Sequence, residues 1–281
     1  MAPSLSVELD SFKNITFFIF HVCLAITGTV LNVLIVLSFL KTKQFLRKNR
    51  FMYIFHICFS NMFSGAMWFY VGLFDVKGVR NNDTYFIYPS LYGVAYLLVF
   101  TSQVDQFCAI RYPFHYVQTM TLTKTRAITA FCWFWPFINV PLVNFVPNNL
   151  GMIILTIRAV LFNIVTFPLM IGFNISLLVM ANRQAQKTVK NNVKNSASKQ
   201  SLHLTIFVAL SYIVLWFPTM FEFCKCVLLR YCLVFRNVAH NYLSILRCLT
   251  TITVPTISIA ASPLVKAALS TLFRSKSFRN R

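Results

Sequence analysis

The residues from Asp105 to Tyr116 read Asp-Gln-Phe-Cys-Ala-Ile-Arg-Tyr-Pro-Phe-His-Tyr and close an apolar segment. Other groups able to do chemistry do not assemble. His21, His56, His115, His203 and His240 are scattered and form no ligand set. The eight cysteines do not match zinc spacing, no Gly-rich phosphate loop is present, and no Ser/His/Asp arrangement has a supporting context. The chain is therefore expected to be no enzyme and to need no cofactor.

The elements that position Asp105 must be membrane helices. Of 281 residues 57% are hydrophobic and 11% charged, with mean hydropathy +0.66. A soluble domain carries about a quarter of its residues as charges, so these are too few to coat a surface in water. Crossing a bilayer as a helix takes about 20 mostly apolar residues. Windows that meet this lie near residues 15–40, 51–74, 86–110, 127–147, 152–180, 202–228 and 238–265. The expected fold is an all-α membrane protein, a seven-transmembrane helix bundle over 15–265. An outer N-terminus (1–14) precedes it, and a short cytoplasmic amphipathic helix and tail (266–281) follow. The first apolar run is too long for a cleavable signal peptide and lacks a small-residue cleavage site. Internal repeats are absent. Low complexity is confined to 182–200, rich in Asn, Lys and Ser and expected to be a solvated helix extension.

A net charge of +20 invites a nucleic-acid reading, but the positions of the cations argue against it. Eighteen of the 26 lysines and arginines fall on alternate joints. One joint holds Lys41 to Arg50, the next Arg111, Lys124 and Arg126, the third Arg183 to Lys199, and the last Lys266 to Arg281. Cations gather on the cytoplasmic side of membrane proteins and are drawn to anionic lipid. The expected topology is multi-pass, N-terminus outside and C-terminus cytoplasmic, with membrane lipid as the partner of the basic surface. Two sequons, at Asn14 and Asn82, fall on the outer side and are expected to be glycosylated. Asn174-Ile-Ser lies within a helix and is set aside.

The run from Asp105 resembles the end of the third transmembrane helix in rhodopsin-like G protein-coupled receptors, Asp-Arg-Tyr-x-Ala-Ile-x-x-Pro-Leu-x-Tyr. Asp105, Ala109, Ile110, Pro113 and Tyr116 match; Phe107 and Phe114 are conservative changes, and Gln106 replaces the arginine. Gly28 to Asn32 resembles the signature of the first family helix. Asn61 stands where the family has a buried aspartate that helps to bind sodium, and is expected to bridge helices instead. Trp133 and Trp135 compete for the single tryptophan of the fourth segment, and Pro168 fits the fifth, where Ser176 replaces a tyrosine. Tyr212-x-x-x-Trp216-Phe217-Pro218 resembles the toggle and kink of the sixth, where proline breaks a backbone hydrogen bond and allows a pivot. Ser262-Pro263, Lys266, Phe273 and Arg274 stand where the family has Asn-Pro-x-x-Tyr and Phe-Arg. Met52-Tyr53-x-Phe55, Pro113-Phe-His-Tyr116 with Met120-Thr121, and Ser196 to Leu204 are similar to the odorant-receptor branch.

The resemblance implies a switch formed by Asp105, Gln106, Phe107, Tyr212, Trp216, Pro218, Ser262, Pro263 and Lys266, with a heterotrimeric G protein on the cytoplasmic face of the plasma membrane. A ligand pocket would be lined by Tyr88, Tyr92, Val160, Trp216, Met220, Phe223 and Ile252. Amine receptors carry a carboxylate where Tyr88 stands, and opsins a lysine at Thr256, so a small, largely apolar ligand of odorant kind is implied. Lys266 is placed to supply Asp105 with the cation that Gln106 lacks, or to reach the lipid headgroups. Glu222 and Arg247 either pair at the outer ends of their helices or snorkel separately. No cysteine lies where the family's outer disulfide needs one. Cys23, Cys58, Cys108, Cys132 and Cys248 read as small apolar fillers, and Cys232 is in reach of Cys224 or Cys226. The departures at Gln106, Asn61 and Lys266 keep open a receptor-shaped protein that does not signal, such as a decoy or heteromer partner. A channel or transporter lacks the intramembrane charges it would need.

Overall fold

A computed structural model describes residues 4–5, 11–42, 45–75, 84–138, 141, 145–146, 148–191, 196–229 and 242–273. Apart from one short pairing of Ser4–Leu5 with Phe74–Asp75, the described chain is helical. In chain order the helices are α1 (Phe12–Lys41), α2 (Asn49–Leu73), α3 (Thr84–Arg111), α4 (Pro113–Thr119), α5 (Leu122–Phe137), α6 (Asn148–Asn191), α7 (Ser196–Leu229), α8 (Tyr242–Ala261) and α9 (Pro263–Phe273). A 3-10 turn, Phe45–Arg47, joins α1 to α2.

Among the described residues four stretches are long and apolar enough to cross a membrane: Phe12–Lys41, Ser90–Arg111, Asn163–Arg183 and Leu202–Glu222. The pair Ile245–Ala261 and Pro263–Phe273, bent by 99°, makes a fifth if it counts as one span. The other two expected windows, 51–74 and 127–147, run in part over residues or side chains outside the described ones. Within the described residues α5 runs for 16 residues. Helix α2 carries Asn49, Arg50, His56, Ser60, Asn61 and Ser64, which dilute its apolar character. The 182–200 stretch is helical to Asn191 and again from Ser196, in keeping with helix extensions.

Local chemistry sets the ends. Ser11 caps α1 by accepting from the Asn14 backbone N–H at 3.2 Å, and Thr121 caps α5 by accepting from Lys124 at 3.3 Å. Ser262 ends one helix and starts another. Its N–H donates to Ser258 O to finish α8, and its hydroxyl accepts from Val265 N at 3.4 Å at the head of α9, with Pro263 in the first position. The last helix thus begins at Pro263, three residues before the sequence-based boundary at 266.

Helix α3 lies at the centre, against α2, α5, α6 and α7, while α1 packs on α2, α8 and α9. Seams between helices are closed by small residues and hydroxyl or amide bonds, the devices that work where lipid is as apolar as leucine. Gly65 of α2 lies against Thr29 of α1, and Gly28 against Thr251 of α8, so close that a Cβ at either would collide. Asn32 Nδ2 donates to Gly28 O and Thr251 O, both at 2.7 Å, tying α1 to α8. Ser60 Oγ donates to Leu91 O at 2.7 Å, and Ser90 Oγ to Pro136 O at 3.0 Å, joining α2 to α3 and α3 to α5. Opposite faces expose large apolar side chains, among them Phe20, Val30 and Leu37 on α1 and Ile164, Leu169 and Ile175 on α6. Continuous apolar surface of this kind is what a lipid-facing helix presents.

Candidate functional site

Asp105 sits near the end of α3 and is 8% exposed. A buried carboxylate needs hydrogen bonds or a counter-charge. It takes two from one donor: the Tyr116 hydroxyl lies 3.0 Å from both Oδ1 and Oδ2. Tyr112 breaks the helix after Arg111 and Pro113 starts α4, so the chain turns back and brings Tyr116 under Asp105. Asn49 Nδ2, at the head of α2, donates to the Tyr116 oxygen at 3.3 Å and fixes the phenol from the other side. Burial pushes the Tyr116 hydroxyl up to about 12, against the pull of the Asn49 bond and with the help of the Asp105 charge, so it stays a donor at neutral pH.

No lysine or arginine among the described residues pairs with Asp105. Arg111 lies over the Tyr112 ring, 5.8 Å from its centroid, and Arg50 over Phe51 at 4.6 Å. Lys266 is exposed on α9, beyond the bend at Ser262, and is not among the partners of Asp105. The expected compensation for Gln106 is therefore not made: the break at Ser262 turns α9 away from the axis of α8. Gln106 itself is half-buried. Phe107 packs edge-on to Phe173 at 5.2 Å and, with Ile110, against Leu177, Ala181, Leu202 and Ile206, where α3 meets α6 and α7.

Around Asp105 lies a cavity of about 430 Å³ between α2, α3, α4 and α5. Its walls include Tyr53, Phe100, Val104, Tyr116, Met120 and Ile128. The Tyr53 hydroxyl is fully buried and makes no hydrogen bond, although it lies in electrostatic reach of Asp105. Nothing in the apolar periodicity marked Tyr53, Asn49 or Ile128 as parts of one site.

Half-way along the bundle, Trp216 meets Tyr92 edge-on at 6.1 Å and Tyr96 at 5.8 Å. Met220 is buried one turn beyond, and Pro218 lies between them inside α7. Tyr96 OH is bonded to Thr166 Oγ1 at 3.1 Å, which ties α3 to α6 at this level. Of the expected pocket lining, the structure brings together Tyr92 and Trp216. Ile252 faces α1, in line with Gly28, and Val160 is half-buried on α6. The side chains of Tyr88 and Phe223 lie outside the described residues, as do Asn82, Arg274 and the cysteines at 224, 226 and 232. Trp133 reaches α2: its Nε1 donates to His56 Nδ1 at 3.2 Å.

Asn61 faces α7. Its amide is fully buried and lies within interaction range of the Tyr212 hydroxyl, although the pair closes no hydrogen bond of good geometry. Asn14 stands in the first turn of α1, where the Thr16 hydroxyl is turned back to Phe12 O at 2.8 Å. Cys58, Cys132 and Cys248 are buried free thiols, as expected of fillers; Cys108 is half-buried and Cys23 exposed. Among the described residues no three His, Cys, Asp or Glu side chains converge on a metal position.

No protein-family model matches the chain, and no curated protein is significantly similar to it.

Proposed function

We propose that the chain is a receptor of the rhodopsin-like G protein-coupled class, gated by a small apolar ligand of odorant kind and coupled to a heterotrimeric G protein at the plasma membrane. The observation that carries this reading is the contact between Asp105 and Tyr116. Those two residues are among the five that match in the sequence resemblance, and the Tyr116 hydroxyl lies within hydrogen-bond distance of both Asp105 oxygens at the end of the central helix. Trp216 against Tyr92 and Tyr96, with Pro218 in the next half-turn, supports a pivot beneath a ligand site. A seven-span bundle with an outer N-terminus follows from the alternating cations, with α2 and α5 as the shorter or more polar crossings.

The second reading, a receptor-shaped protein without signalling, is favoured by one pair of observations. Gln106 takes the place of the cation that would meet a G protein, and exposed Lys266 does not replace it. Two measurements separate the readings. Tags at both termini in intact cells should show the N-terminal one at the surface and the C-terminal one only after permeabilisation. An odorant panel on surface-labelled cells should then raise G protein activity for at least one compound. An N-terminal tag reachable only after permeabilisation would overturn the topology, and a silent panel at full surface expression would favour the decoy.

A further inference from the structure

We propose that the cavity beside Asp105 is a second ligand site, for a small lipophilic ammonium, separate from the pocket expected near Trp216. Three features of the site converge. The volume of about 430 Å³ falls in the range of roughly 300–1,000 Å³ typical of small-molecule sites. Its walls are largely apolar, with Phe100, Val104, Met120 and Ile128 facing a single charge. That charge has no cationic partner among the described residues, and one phenol supplies its hydrogen bonds.

An ionised carboxylate offers about four lone-pair positions. The Tyr116 hydroxyl is one donor shared between the two oxygens, so an ammonium N–H has room to bind as well. The Tyr53 oxygen, fully buried, without a partner and on the same wall, is placed to accept a second N–H. A flat ring on the amine would lie among Phe100, Val104 and Ile128. A neutral odorant would leave the carboxylate unanswered, and an anion would be repelled. The site therefore selects the ligand class that Tyr88 argues against at the expected outer pocket. Because it uses no switch residue beyond Asp105, it stands whether or not the protein signals.

The test uses the full chain in lipid nanodiscs at neutral pH, with empty nanodiscs as the baseline for partition into lipid. The probes are 2-(aminomethyl)naphthalene, which is protonated there, and its neutral isostere 2-ethylnaphthalene. The amine is expected to bind saturably and at least about tenfold more tightly than the isostere, a difference of about 1.4 kcal/mol. Asp105→Asn should remove that preference, and Ile128→Phe should weaken both probes by filling the cavity. Equal binding of the two probes to the unaltered protein would overturn the proposal. So would a folded Asp105→Asn protein that keeps the preference. The probe comparison needs no variant, so it decides the matter even if Asp105→Asn does not fold.

Discussion

Two buried polar sites in the bundle are built on opposite principles. At the end of α3, the Asp105 carboxylate is caged by Tyr116, and Tyr116 is held in turn by Asn49. Between α2 and α7, Asn61 and Tyr212 are both fully buried and face each other without closing a hydrogen bond of good geometry. The contrast follows from the cost of burial. An unpaired charge in a low-dielectric interior is so costly that it must find a partner. A neutral amide or phenol left alone costs about 1–3 kcal/mol, which a well-packed helix pair can absorb. A neutral amide at Asn61 thus escapes a constraint that is in force at Asp105. The polar groups of the first site hold the backbone in place, and those of the second are available to move.

Tyr116→Phe gives the largest expected effect. It strips the carboxylate of its only donor among the described residues, and hydrogen bonds to charged groups contribute roughly 1.5–3 kcal/mol. Thermal unfolding in detergent should show a loss of that order, and a second change, Asp105→Leu, should recover most of it by removing the stranded charge. Additive losses in the double variant would show that the two residues do not act as a pair. Asn49→Ala comes next, with a loss of about 0.5–1.5 kcal/mol, because the bond to Tyr116 is long at 3.3 Å and neutral. Smallest is Tyr212→Phe, expected within about 0.5 kcal/mol of the parent or more stable, since it deletes a hydroxyl without a hydrogen bond of good geometry. A loss above about 1.5 kcal/mol there would mean that the hydroxyl is engaged and that the contrast is false.

Much of this was legible in the residues. Asp105, Pro113 and Tyr116 were readable only through a resemblance in spacing; the structure adds that Pro113 starts α4 and so helps the chain to turn back under α3. Ser262-Pro263 announced a helix boundary, but its consequence did not follow from the pattern. Ser262 caps α9 and bends the chain by 99°, and this bend carries Lys266 away from Asp105. The contact of Trp133 with α2 also required three dimensions. Trp133 and Trp135 lie on one short helix, and its rotation against α2 sets Trp133 on His56. The close approach of α8 to α1 at Gly28, which sets Ile252 beside α1, was not readable from the pattern either. Cavities were illegible altogether, because Tyr53, Ile128 and Asp105 come from three helices whose packing no periodicity reports.

The proposed function makes Asp105 and Tyr116 parts of a receptor that would drive nucleotide exchange on a G protein. The most direct measurement is ligand-stimulated GTP loading of a panel of heterotrimeric G proteins, by surface-verified parent and by Gln106→Arg. The parent should load at least one G protein in response to an odorant, and Gln106→Arg should load it further, since it restores the cation at the contact. No stimulated loading by either protein, with any G protein or odorant, would contradict the account.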